Sequence, residues 1–360
     1  MAQIESITKG PTGRRESNFE LLRMLAMFFV LVVHADFAAL TVPTSADVAS
    51  APAGTAARIF FEMAAIAGVN IFVLISGWFG IRATLKGFMK FLFQVLFYAV
   101  TIYLLFVAIG IAPFSWEAIY QSCILEWTEN QWFIPSYILL FLFAPVLNAF
   151  TEKASGRQLG WMIAGFYLVQ TALTLIGKPA QFNEGYSFLS FSGLYLFARW
   201  LRLHGRAVNR LSVGWGLVIG TILVETVADY FVIKEGINGV TSWLLSYSSP
   251  LVVLESFGFL ILFANIRKFS NSIINWIGGG CFAVYLIHFN KWVFIHFKDT
   301  VKAIYAPLDG LPAILAIGAF LAAVFLGCVL VDKLVREPAW KAVERAVRKS
   351  GSSRRNGGGA

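Results

Sequence analysis

Ten apolar segments of 18 to 26 residues run along the chain: 19–40, 58–80, 87–112, 132–150, 158–176, 186–203, 211–233, 243–265, 276–298 and 312–332. A helix rises about 1.5 Å per residue, so some 20 such residues cross the ~30 Å hydrocarbon layer of a bilayer. Unbroken apolar runs of this length exclude barrel strands, which alternate and are about half as long. The pattern predicts an all-α polytopic membrane protein with about ten transmembrane helices. The sixth and seventh segments are the weakest, because Arg199, Glu225 and Asp229 intrude near their ends.

Composition agrees. Hydrophobic residues make up 58% of the 360 residues and charged residues 14%, and 34 residues are Phe. A soluble domain carries roughly 25% charge to cover its core, so this chain must use lipid as part of its solvent. A net charge of +9 raises the question of nucleic acid, and the distribution of the charge answers it. With the N-terminus cytoplasmic, 23 of the 29 Lys and Arg fall inside or at the inner surface, while Arg58, Lys178, Lys234, Lys298 and Lys302 fall outside. That asymmetry obeys the positive-inside rule for an even number of spans, so both termini are expected in the cytoplasm and no nucleic-acid partner is implied.

The expected organisation is a cytoplasmic N-terminal tail (1–18), a ten-helix membrane domain (19–335) and a basic cytoplasmic C-terminal tail (336–360). The N-terminal tail is polar and lacks the apolar centre of a signal peptide. Residues 336–349 have the pattern of a basic amphipathic helix for the inner leaflet. The longest outer connections are 41–57 and 113–131, the latter with Glu117, Glu126 and Glu129. Cys123, Cys281 and Cys328 show neither disulfide nor zinc spacing, and no metal site is expected.

Inside a bilayer the polar residues are the informative ones, because an ionisable group there costs several kcal/mol without a partner or a task. Arg23 and His34 lie eleven residues apart, three turns plus about 20°, so they share a face roughly 16 Å apart along the axis. A neutral imidazole suits a general base; the plainer alternative is an interhelical hydrogen bond. Ser76-Gly77-Trp78 closes the second segment, where small residues most often serve close helix packing, and Glu62 sits near that segment's outer end. Arg82, Lys86 and Lys90 form a basic row at the inner surface that could grip phosphates or simply fix topology. Trp132-Phe133-Ile134-Pro135-Ser136-Tyr137 opens the fourth segment, with Pro145 and Asn148 further on. Tyr285-Leu286-Ile287-His288 and Lys291 fall in the ninth. His288 reaches a depth similar to that of His34, so the two histidines could pair.

Taken in that order, these motifs resemble the membrane-bound acyltransferase family 3, best known for bacterial O-acetyltransferases of surface polysaccharides. The resemblance spans about residues 15–335. It implies an enzyme that takes an acyl group, usually acetyl, from acyl-coenzyme A on the cytoplasmic side. The group passes to a hydroxyl of a glycan or lipid-linked glycan outside, across the cytoplasmic membrane of a bacterium. His34 would be general base or acyl carrier, with Arg23 and His288 in the catalytic set. Arg82, Lys86 and Ser76 would face the cofactor, and Glu62, Trp132, Tyr137 and Tyr285 would support substrate or structure. Two departures stand out: Arg82 is followed by Lys86 where the family often has an Arg-x-x-Arg pair, and Ser-Gly-Trp replaces the commoner Ser-Gly-Phe. A transporter or flippase for a polar or lipid-linked substrate is the alternative, with Glu62, Glu255, His34 and Lys291 as relay groups. The chain shows no inverted repeat or paired broken helices to favour it.

Overall fold

The computed structural model describes residues 15–124, 131–177, 180–206, 208–237, 239–308 and 310–356. Glu126, Glu129, Lys178 and most of the N-terminal tail lie outside them. Among the described residues every regular element is a helix. The main ones are α1 (Ser17–Ala35), α2 (Pro52–Ala65), α3 (Gly68–Phe79), α4 (Leu85–Ala108), α5 (Phe133–Lys153), α6 (Gly156–Ile176) and α7 (Phe188–His204). They are followed by α8 (Leu211–Lys234), α9 (Pro250–Asn265), α10 (Ser272–Gly278), α11 (Cys281–His288), α12 (Lys291–Tyr305), α13 (Gly310–Val331) and α14 (Glu337–Asn356).

Among the described residues, seven helices, α2 and α3 counted together, are long and apolar enough to cross a membrane, and the bent pair formed by Ser272–His288 and α12 makes up to eight. The protein is therefore a multi-pass membrane protein. The expected sixth and eighth segments are helices of 17 and 16 residues, α7 and α9. The ninth, expected as one helix over 276–298, is broken: its two arms meet at 90°. Asn290 causes the break by leaving helical geometry and accepting the Trp292 N–H at 3.1 Å, which starts a new helix. Lys291 consequently opens the second arm rather than sitting within a continuous span.

Lipid offers no hydrogen-bond partner to an open backbone group, so helix ends must be capped or placed in water. Thr84, Ser155, Ser187, Asn271 and Asn290 each accept a first-turn N–H from α4, α6, α7, α10 and α12. α3 forms the centre, buried along most of its length and packed on α1, α7 and α9. Its approach to α7 requires Gly77, because a Cβ there would stand 2.5 Å from the Tyr195 carbonyl oxygen. Packing is thus the role of Gly77. Asn148 also acts structurally, donating to the Ile81 carbonyl at 3.0 Å and accepting from Tyr195 Oη at 2.7 Å, which ties down the α3–α4 connection.

The last span does not stop at 332. From Gly310 to Lys349 the helix is continuous for 40 residues, passing through a π turn at Asp332–Arg336. Its lower part lies along α4: Trp340 meets Phe93 at 5.3 Å and Glu344 pairs with Lys86 at 2.6 Å. Between the two helices Arg336 and Asp332 form a fully buried ion pair at 2.6 Å, and Asp332 also accepts from Gln94 (3.1 Å) and Tyr98 (3.0 Å). Removing one partner of such a pair leaves a bare charge at a cost of about 3–5 kcal/mol. Arg336→Ala should therefore lower the thermal midpoint of the detergent-solubilised protein sharply. Asp332→Asn/Arg336→Gln should restore most of it, because Asn keeps an acceptor for Gln94 and Tyr98. A double variant as unstable as the single one would contradict this.

Candidate functional site

The centre of the site is a pair of imidazoles. His34, in the last turn of α1, places Nδ1 2.8 Å from Nε2 of His288, the last residue of α11. The Nδ1 of His288 lies 2.5 Å from the Val284 carbonyl oxygen, one turn earlier. A carbonyl only accepts, so His288 Nδ1 carries hydrogen. With both rings neutral, His288 Nε2 is then an acceptor, His34 Nδ1–H donates to it, and His34 Nε2 is left with a free lone pair. His34 is stacked on Phe289, with centroids 4.4 Å apart at 14°, and meets Phe294 edge-on. Its ring is thus fixed by packing as well as by hydrogen bonding. His288 is 1% exposed, whereas His34 is half-buried and faces a chamber.

That chamber is lined mostly by apolar and aromatic side chains, the usual lining of a small-molecule site. Met27, Val30 and His34 of α1 line one side, with Trp132, Tyr247 and Tyr285 among the residues opposite. The Tyr285 hydroxyl is buried and has no hydrogen-bond partner among the described residues. Tyr247 is held in place because Asn70 of α3 donates to its carbonyl at 3.0 Å.

A second, smaller chamber of ≈ 350 Å³ adjoins it and is lined by Arg23, Ser76 and Tyr137 among apolar residues. Phe72, Phe133 and Phe282 line both. Arg23 donates to Glu20 at 2.6 Å, with both side chains almost wholly buried. Ser76 Oγ lies 3.1 Å from Tyr137 Oη and donates to the Phe72 carbonyl at 3.1 Å. The stripe Arg23, Met27, Val30, His34 on one face of α1 therefore runs past both chambers, as the eleven-residue spacing predicted.

Seven of the ten site residues that the resemblance implies meet along this path: His34, Trp132 and Tyr285 at the upper chamber, His288 bonded to His34, and Arg23, Ser76 and Tyr137 at the lower. The other three lie elsewhere. Glu62 is buried one turn before Ile66, in electrostatic reach of Asp36, Arg58 and Asp229. Arg82 is exposed near the start of α4, and Lys86 is exposed and paired with Glu344. Sequence reasoning missed Glu20, although its position three residues before Arg23 is a spacing at which helical charges pair. It also missed the three shared phenylalanines. A larger cavity of ≈ 820 Å³ between α1, α2 and α13 is mostly apolar, and its charged residues, Asp36 and Arg58, neutralise each other at 2.6 Å. Among the described residues no group of His, Cys, Asp and Glu is arranged to hold a metal ion.

Comparison with known proteins fits this geometry. The sequence model of a family described as an acyltransferase domain matches residues 16–333. The chain belongs to membrane acyltransferase family 3 and has an acyltransferase domain over most of its length. No curated protein and no solved structure matches it.

The hydrogen-bond order makes a prediction. Gln at position 288 can still present an oxygen to His34 Nδ1–H, whereas Leu cannot. His288→Leu should lower acyl transfer per molecule by about 10²-fold, the lower end of the range for acid–base assistance, and His288→Gln should lose clearly less. Rates measured on membranes normalised for protein amount decide it, and equal losses would deny His288 the acceptor role.

Proposed function

We propose that the protein moves an acyl group, acetyl by preference, from acyl-coenzyme A at the cytoplasmic side to a hydroxyl of a glycan or lipid-linked glycan at the outer side. The observation that carries this reading is the place of His34: its Nδ1 is engaged by His288, and it lines the chamber that shares Phe72, Phe133 and Phe282 with the one holding Arg23. The acceptor hydroxyl would enter the upper chamber and the thioester would rise from below. His34 Nε2 would take the hydroxyl proton as the oxygen attacks the thioester carbonyl. The C–O bond forms, the C–S bond breaks, and the proton ends on the departing thiolate of coenzyme A. The His34 imidazolium would keep its Nδ1–H bond to His288 throughout, so no ring has to turn. The unpartnered Tyr285 hydroxyl is suited to donate to the carbonyl oxygen as it gains charge.

Arg23 lies below, where its charge, offset by Glu20, would orient the pantetheine arm or a phosphate. Arg82, and Lys86 on exchanging Glu344 for a phosphate, would hold the nucleotide end outside the lipid. Ten spans with both termini cytoplasmic is the arrangement that the basic-residue asymmetry supports, and the family resemblance supports the cytoplasmic membrane of a bacterium. An acyl carrier role for His34 uses the same atom and passes through an acyl-imidazole.

Substituting His34 tests both forms. Gln keeps a hydrogen-bonding amide but cannot serve as base or carrier near neutral pH. His34→Gln should cut acyl transfer per molecule by about 10²–10⁴, the value of acid–base assistance, at unchanged protein levels. Acylated glycan measured by mass spectrometry at the wild-type rate would overturn the assignment.

A further inference from the structure

We propose that Phe72, Phe133 and Phe282 form a collar that selects the acyl group by its cross-section, passing unbranched chains and rejecting those branched next to the carbonyl. The proposal rests on the acyl-transfer reading above and names the donor class of that same site.

Among the described residues only these three rings line both chambers, and they come from three different helices, α3, α5 and α11. On the acyl-transfer reading, a group travelling from the level of Arg23 to His34 would pass between them. Phe282 and Phe133 are not free to swing aside. Phe282 is stacked on Phe91 at 5.5 Å and on Tyr285 at 6.1 Å. Phe133 is stacked on Tyr137 at 5.5 Å, rests against Phe191 at 5.5 Å, and meets Phe282 itself at 6.3 Å. Phe282 is 4% exposed and Phe133 9%. Packed interiors resist displacement of this kind, because forcing a ring off its rotamer costs contacts on every side.

The donor's own chemistry suits such a passage. The thiol end of pantetheine is an unbranched chain of methylenes and amides, and acetyl adds only one methyl beyond the carbonyl. An acyl group branched at its second carbon is wider than the arm that carries it. The collar therefore discriminates between isomers of the same size: butyryl threads it, and isobutyryl does not.

Butyryl- and isobutyryl-coenzyme A form the test pair, with acetyl-coenzyme A as reference, on membranes holding known amounts of full-length protein. Release of free coenzyme A and mass of the acylated glycans are both read. The wild type should prefer butyryl over isobutyryl by at least roughly tenfold, the low end of what one misplaced methyl group is worth in a close-fitting site. Phe282→Ala should lower that preference about tenfold while acetyl transfer persists. Phe282→Leu and Phe133→Leu, which keep apolar bulk and protect folding, should lower it in the same direction. Phe191→Leu, behind the collar and lining neither chamber, should leave it unchanged. A wild type that uses both isomers equally, or collar variants that keep its preference, overturns the collar and leaves acyl transfer standing. A wild type that releases no coenzyme A from acetyl-coenzyme A overturns the acyl-transfer reading and the collar with it.

Discussion

The hydrogen on His288 Nδ1 has a carbonyl oxygen as its partner, that of Val284 one turn back along the same short helix. That bond is internal to α11 and sets the tautomer of the whole pair, because it turns His288 Nε2 into an acceptor and His34 into its donor. The consequence is that the basic lone pair stands on the ring that faces the chamber. Everything around the pair serves to keep these two helices in register. The break at Asn290 ends the arm just beyond His288, and the Phe289 ring it releases stacks on His34. A straight ninth helix would have carried the chain on through the membrane instead of folding it over the site.

Buried ion pairs form another part of the polar interior. In lipid a charge without a partner is expensive, and two of the buried cations are paired close at hand: Arg23 with Glu20, Arg336 with Asp332. Neither pair resembles a surface salt bridge, whose worth is small. Arg336–Asp332 holds the last helix against α4 through Gln94 and Tyr98, while Arg23–Glu20 keeps a cation at the floor of the lower chamber. α1 therefore connects the two ends of the site by itself. Its charged floor and its basic ring sit on one stripe, separated by Met27 and Val30, and the helix fixes their separation.

Much of this was legible in the residues. The apolar runs located the long helices, and the eleven-residue spacing put Arg23 and His34 on one face. Depth arithmetic placed His288 level with His34, although adjacency of α1 and α11 is a tertiary fact that no local pattern contains. The ninth segment was misread because Asn290-Lys291 interrupts an apolar run too briefly to register as a break, yet one capping side chain suffices to start a new helix. Lys86 read as a free cation because its partner, Glu344, is 258 residues away. The collar was invisible for a different reason. With 34 phenylalanines in the chain, nothing in the sequence distinguishes three that bound a passage from those that meet lipid.

The proposed transfer is directional: the acyl donor would be used from the inner face and the acceptor modified at the outer one. Sealed membrane vesicles of opposite orientation test it directly when supplied with labelled acetyl-coenzyme A, which does not cross a bilayer. Vesicles with the cytoplasmic face outward should acylate glycan enclosed within them, and vesicles of the native orientation should label only after being made permeable. Equal labelling of glycan in intact vesicles of both orientations would contradict a path that runs from Arg23 to His34 across the membrane.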